Sequence, residues 1–188
     1  MPGISRRDLL AAAAVTIPVA IGAGPANAGE TLAWDFKFPA IEGGTLDFAA
    51  YKGKALMVVN TASFCGFTYQ YETLEKVSKA QAAAGLVVIG IPSQDFNQES
   101  DSNAKVKAFC DATFGIDFPM ASISKVKGED AAPFYRWVKA ERGWEPSWNF
   151  NKVVIGRDGH ILGCFGSGDE PDGLKLRNAL AAALSTAA

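Results

Sequence analysis

The chain has 188 residues, 48% apolar and 20% charged, and a net charge of −2. That length suits one domain with a proper core, and the faint acidity excludes the basic face a nucleic-acid binder needs. Three cysteines, at 65, 110 and 164, and one histidine, His160, leave no Cys-x-x-Cys pair for a zinc knuckle or a dithiol motif, and their odd number excludes a fully paired disulfide framework.

In chain order, Ser5-Arg6-Arg7-Asp8-Leu9-Leu10 precedes an alanine-rich apolar run from Ala11 to about Ala23, and Ala26-Asn27-Ala28 then offers the small residues a signal peptidase cuts after. The pattern resembles a twin-arginine export signal over 1–28, with Ala11 where the usual consensus ends in lysine. The apolar run is short and mild for a spanning helix, so the expectation is cleavage, no stable membrane insertion afterwards, and a periplasmic or otherwise exported domain over 29–188. Cleavage would remove Arg6, Arg7 and Asp8 and move the net charge from −2 to −3. The exported compartment would be one in which disulfides persist.

Leu32 to Phe38 reads as a strand, with Gly43-Gly44 as its hairpin turn. Ala55 to Val59 is an apolar run without polar alternation, as in a strand buried on both faces. Thr68 to Ala84 has helical spacing along Tyr71, Leu74, Val77 and Ala80 or Gln81, and Gly85 stops it. Leu86 to Ile91 is a second buried strand. Asp101 to Phe114 reads as a helix with Val106, Phe109, Cys110 and Phe114 on its apolar stripe. A short helix is expected over Pro133–Lys139. Lys152–Ile155, the turn at Arg157-Asp158-Gly159, and His160–Phe165 make a β-hairpin. Leu174–Leu184 is a closing amphipathic helix. This order describes an α/β fold, a mixed central sheet flanked by helices in the thioredoxin-like arrangement, with an insertion before the hairpin.

Cys65 falls where the first buried strand gives way to the next helix. A thiol there meets the positive end of the helix dipole and free backbone N–H groups, both of which favour thiolate. Gly66 lets a reactant approach the backbone closely. Acyl transfer would need an imidazole beside the sulfur, and His160 belongs to a distant turn. Dithiol exchange would need a cysteine where Thr68 stands. Peroxide reduction remains: the thiolate attacks one peroxide oxygen and becomes sulfenic acid, while the departing oxygen needs hydrogen-bond donors.

Asn60-Thr61-Ala62-Ser63-Phe64-Cys65-Gly66-Phe67-Thr68, with Tyr69-Gln70-Tyr71 and Leu74 after it, closely resembles the signature around the peroxidatic residue of glutathione peroxidases. Ile91-Pro92-Ser93-Gln94-Asp95-Phe96, Phe109-Cys110, Phe118-Pro119-Met120 and Trp148-Asn149-Phe150 continue the resemblance in order, from about Leu32 to Leu184. It implies a thiol peroxidase acting on hydrogen peroxide and organic hydroperoxides. No metal or other bound cofactor is implied; the reductant is an external thiol such as glutathione or a thioredoxin-like protein.

By the same resemblance, Trp148 and Asn149 hydrogen-bond the active sulfur, and Cys110 stands where thioredoxin-dependent members carry a resolving cysteine. Packing alone would make Cys110 a core residue, as it does Cys164. One departure is Asp95, where the family usually has glutamine; Gln94 lies one residue earlier. A carboxylate facing the thiol would oppose its ionisation, so Asp95 is either protonated, or displaced from the thiol, or itself a participant in proton transfer, and all three readings stand. The short stretch from Ala140 to Ser147 lacks the long insertion of tetrameric members and implies a monomer with an open site. A peroxide sensor or relay using Cys65, and a binding module that has lost its chemistry through Asp95, are alternatives the residues leave standing.

Overall fold

The architecture is organised by one strand. In the computed structural model, which describes residues 29–188, β3 (Ala55–Thr61) is buried along its whole length. It pairs in parallel with β4 (Leu86–Pro92) on one side and antiparallel with β5 (Lys152–Ile155) on the other. β6 (Ile161–Phe165) completes a four-stranded mixed sheet of order β4-β3-β5-β6. β1 (Lys37–Pro39) and β2 (Thr45–Asp47) form a separate hairpin. The expected signal segment, 1–28, lies outside the described residues.

The two-residue period of a strand sorts side chains between two cores. Met57 and Val59 face one core with Val88 and Val154; Leu56 and Val58 face the other with Ile89 and Val153. The first core is closed by α1 (Gln70–Gln81) through Tyr71 and Leu74, by α2 (Asn103–Phe114) through Val106 and Cys110, and by α4 (Leu174–Ser185) through Leu176 and Leu180. The second is closed by α3 (Pro133–Arg142) and the β1–β2 hairpin, where Phe134 meets Phe36, Phe38 and Phe48 edge-on at 5.4 to 6.2 Å. The sheet buried on both faces is the one the unbroken apolar runs predict. Gly90 shows how tight this packing is: a Cβ there would stand 3.2 Å from Phe118 and 3.3 Å from Met120. That closeness lets the 119–121 segment bond to β4 through Gly90 N to Pro119 O and Ala121 N to Gly90 O.

The elements differ from the sequence reading mainly at their ends. The expected strand over Leu32–Phe38 is a 3-10 turn over Ala33–Asp35 followed by the short β1. Ala33 N donates to Gly159 O, and Trp34 packs so closely on Gly159 that a Cβ there would meet its indole. This long-range packing overrides strand propensity. Helix α1 begins at Gln70 rather than Thr68 and gives way after Gln81 to a 3-10 turn that ends at Gly85, φ +95°. Helix α2 starts at Asn103, and Ser102 before it makes no side-chain cap bond.

Candidate active site

β3 ends at Thr61 and α1 starts at Gln70, so Cys65 lies in the connecting turns and not in the first turn of the helix. The turns are tight: Thr68 N donates to Cys65 O, Gln70 N to Phe67 O and Tyr71 N to Thr68 O. They bring the Phe67 N–H to 3.5 Å from the Cys65 sulfur, to which it donates. A backbone dipole therefore reaches the thiol, but from the loop rather than from a helix end. Cys65 is 5% exposed, while Phe64 and Tyr69 near it in the chain are exposed, at 69% and 51%.

Trp148-Asn149-Phe150 is fastened to the same end of β3 by Asn60. Its amide Nδ2 donates to Trp148 O at 2.9 Å, its Oδ1 accepts from Asn151 N at 3.1 Å, and its carbonyl accepts from Phe150 N at 2.6 Å. Phe150 takes a left-handed φ of +59°, a conformation that costs a side-chain-bearing residue about 1–2 kcal/mol. It is held there by those bonds and by its buried ring, edge-on to Tyr71 at 5.2 Å. The strained turn fixes the two residues before it. The side chain of Asn149 is fully buried and donates to Gln98 Oε1 at 3.0 Å, while its own Oδ1 has no protein partner. Trp148 is 40% exposed and packs against Phe96 in a tilted pair, ring centroids 5.4 Å apart, with Lys127 Nζ 4.7 Å over the Phe96 ring.

The loop after β4 sends its polar groups to separate partners. Asp95 Oδ2 accepts from Val126 N at 2.6 Å and Lys127 N at 3.2 Å, so its carboxylate secures the 126–127 loop. Gln94 is exposed and donates to Ser100 O. Two residues of this loop reach the Cys65 turn: Gln98, whose carbonyl accepts from Phe64 N at 2.9 Å, and Glu99. Glu99 is buried, with Oε1 accepting from Ser63 N at 3.1 Å and Ser100 N at 2.6 Å and Oε2 left without a partner. Burial raises its pKa above the ordinary carboxylate value. Gln98 and Glu99 carried no periodic signal that would single them out. Asn60 did carry one, a polar side chain closing an apolar run.

Cys110 is fully buried on α2 and belongs to the same core cluster as Cys65, yet both thiols are free. Burial pushes the Cys110 thiol up to about 11. Cys164 is half-buried in β6, is likewise pushed up to about 11 by burial, and packs against the other core. His160 lies at the far end of the sheet. The register pairs Val59 with Lys152 near the site and Leu56 with Ile155 away from it, and His160 follows that distal end, 3.1 Å from Asp158. Among the described residues, no group of His, Cys, Asp and Glu is arranged to hold a metal ion.

A free, nearly buried thiol with an N–H on its sulfur, at the strand-to-helix corner of a thioredoxin-like fold, defines the class: a thiol-dependent oxidoreductase. The particular family follows from comparison. The family profile for glutathione peroxidase matches residues 33–139. The chain is 39% identical over 144 residues to a glutathione peroxidase of Lactococcus lactis, covering 74% of this chain and 92% of that protein. It is 34% identical over 139 residues to a glutathione peroxidase-like peroxiredoxin of Schizosaccharomyces pombe, covering 71% and 88%. Over 132 residues it is 37% identical to a hydroperoxy fatty acid reductase of Synechocystis, covering 70% and 85%. The crystal structure of Trgpx in apo form superposes with a TM-score of 0.68 at 35% identity, covering 85% of this chain and 99% of that one. A thiol:disulfide interchange protein of Chlorobium tepidum shares the fold at 22% identity, with a TM-score of 0.59 and coverage of 85% and 100%. The chain belongs to the glutathione peroxidase family, and it is a thiol-dependent peroxidase.

Proposed function

We propose that Cys65 is the peroxidatic residue and that Trp148 and Asn149 serve its chemistry. The thiolate attacks the terminal oxygen of a hydroperoxide. A sulfur–oxygen bond forms, the oxygen–oxygen bond breaks, and sulfur is oxidised by two electrons to sulfenic acid. The alkoxide or hydroxide that leaves takes up a proton to become alcohol or water. The carrying observation is that the Cys65 turn, with the Phe67 N–H on its sulfur, directly follows β3, and the Trp148-Asn149 segment is bonded to Asn60 at the end of that strand. The exposure of Phe64, Tyr69 and Trp148 supports access for bulky organic hydroperoxides as well as hydrogen peroxide. Cys65→Ser should form no sulfenic acid and consume no peroxide, since a hydroxyl without an activating base is a poor nucleophile. Undiminished peroxide consumption by that variant would end this reading.

Cys110 completes the cycle in this proposal. Its thiolate displaces hydroxide from the Cys65 sulfenic acid, a disulfide forms, and the hydroxide is protonated to water. An external thiol, glutathione or a thioredoxin-like protein, then reduces the disulfide, and a reductant screen against hydrogen peroxide and an organic hydroperoxide identifies which. The protein works as an exported monomer in this reading. Arg6-Arg7 and Ala26-Asn27-Ala28 support twin-arginine export with a mature start at Gly29. Among the described residues no helix is long and apolar enough to cross a membrane. N-terminal sequencing of the exported protein and light scattering test the two statements; a Met1 start or a tetramer would contradict them.

A further inference from the structure

Lys152 is a fully buried lysine in the first core, and neither the sequence reading nor the peroxidase chemistry gives it a task. An ammonium out of water costs several kcal/mol unless its partners are well placed, so what it binds is informative. Its Nζ donates to Gln70 Oε1 at 2.6 Å and to Asp169 O at 2.8 Å. Gln70 is the fully buried first residue of α1, the helix that begins five residues after Cys65. The Gln70 amide donates onward to Ser167 O at 2.7 Å. Ser167 Oγ in turn donates to Asn149 O at 2.7 Å and accepts from Asn151 Nδ2 at 2.8 Å. The bonds run from Lys152 through the start of α1 and the loop after β6 to the peptide of Asn149. They form a strap beneath the site that joins the helix following Cys65 to the segment bearing Trp148 and Asn149.

We infer that Lys152 is a positioning residue for peroxide reduction: its ammonium tightens the Gln70–Ser167–Asn149 strap and so holds Asn149 in register with the Cys65 loop. This rests on the reading that Cys65 and Asn149 form the site. Hydrogen bonds from a charged donor are about twice as strong as neutral ones, so loss of the proton slackens the strap without removing the side chain. Burial lowers the Lys152 amine to about 8, against the opposing pull of the Glu170 and Asp169 charges. Slackening therefore falls within a range that is easily measured. The other ionisable groups facing this spot are accounted for. Asp169, from the loop after β6, pairs with Lys175 of α4 at 2.9 Å, and Glu170, from the same loop, accepts from the Tyr69 hydroxyl at 2.7 Å. Gln70 on α1 is neutral, and Val59, opposite Lys152 on β3, is apolar.

The test is the rate of Cys65 sulfenate formation with hydrogen peroxide from pH 6 to 10, in wild type, Lys152→Met and Ser167→Ala. Small misplacements in a site cost up to about a hundredfold. Lys152→Met should run about tenfold slower than wild type at pH 6.5, and the ratio should close to about twofold by pH 9.5, where the wild-type amine is neutral too. Ser167→Ala keeps the ammonium but cuts its link to Asn149, so this variant should lack the wild type's alkaline loss of rate, and its deficit too should narrow as pH rises. Should the methionine variant fail to fold, Lys152→Gln, which keeps a donor without the charge, takes its place. A wild-type to Lys152 variant ratio that is constant across the range, or equal to one, overturns the inference while leaving the site intact. Absence of sulfenic acid at Cys65 in wild type overturns the site, and the inference with it.

Discussion

At the scale of single residues, Asp95 shows how a sequence position and a spatial one part company. In sequence it stands at the glutamine position of the family, one residue before Phe96; in space its Oδ2 is occupied by the N–H groups of residues 126 and 127. Asp95→Gln should therefore leave sulfenate formation within about twofold and lower stability by about 1–3 kcal/mol, the cost of disturbing bonds to a charged acceptor. Stopped-flow rates and urea unfolding check the two parts, and a tenfold, pH-dependent rate change would return Asp95 to the thiol. Asn149→Ala should slow the peroxide step by about ten to a thousandfold, as for the loss of one preorganised donor, provided the same kinetics show an intact fold. Cys65, Trp148 and Asn149 were legible because their motifs are contiguous in the chain. Glu99, Gln98 and Lys152 were not, because what distinguishes them is burial and partners from segments distant in sequence, which no local pattern encodes.

Among the elements, α2 is the one that must move if Cys110 is to meet Cys65. Packed as it is, the Cys110 thiol at about 11 leaves only about one molecule in ten thousand as thiolate at pH 7. Exposure to water would return it toward the free value of about 8.5 and raise that fraction several-hundredfold. Unwinding thus supplies both reach and nucleophile. The start of α2 is suited to it: Ser102 makes no capping bond, and the helix buries only Val106 and Cys110 fully. Asn103 Oδ1, accepting from Ile123 N at 2.8 Å, ties this end to a distant segment. Asn103→Ala should therefore hasten the 65–110 disulfide after peroxide addition, by about threefold to tenfold if the tie contributes about 1 kcal/mol. Timed alkylation with peptide mapping reads this, and an unchanged rate would place the slow step elsewhere. Helix and strand bodies were readable from apolar periodicity. Their ends were not, because α1 and α2 begin where tertiary bonds, not propensity, stop the preceding turns.

For the whole molecule, the buried groups give a signed response to alkali. Lys152, lowered to about 8, sheds its proton in the folded chain before the unfolded one does, so its contribution to stability rises as pH climbs from about 8 toward 10.5. Cys110 and Cys164 act in the opposite sense. Raised from 9.0 to about 11, they keep protons the unfolded chain has lost, and stability falls from about pH 9 to 11. From pH 8 to just below 9 the lysine outweighs the two cysteines, at a net slope of no more than about 0.5 kcal/mol per pH unit, and near pH 9 the opposing effects cancel. Urea midpoints for wild type and Lys152→Met at pH 7.5 and 9 should show a gain on alkalinisation in the first that is missing from the second. Equal shifts in both would mean that the amine titrates normally in the folded protein.

The division of the sheet into two cores has an optical consequence. The chain has four tryptophans. Trp34 and Trp137 are buried in the core on the α3 side and Trp144 packs against it, while Trp148 stands partly in solvent at the site. Trp34 and Trp137 should emit at short wavelength, out of reach of acrylamide; half-buried Trp144 should fall between; and Trp148 should emit further to the red and be quenched. Oxidation of Cys65 would then register in a single component of the spectrum, against a background that the rest of the fold keeps constant. The intrinsic emission of the protein becomes a label-free clock for its own turnover, and Trp148→Phe should stop it.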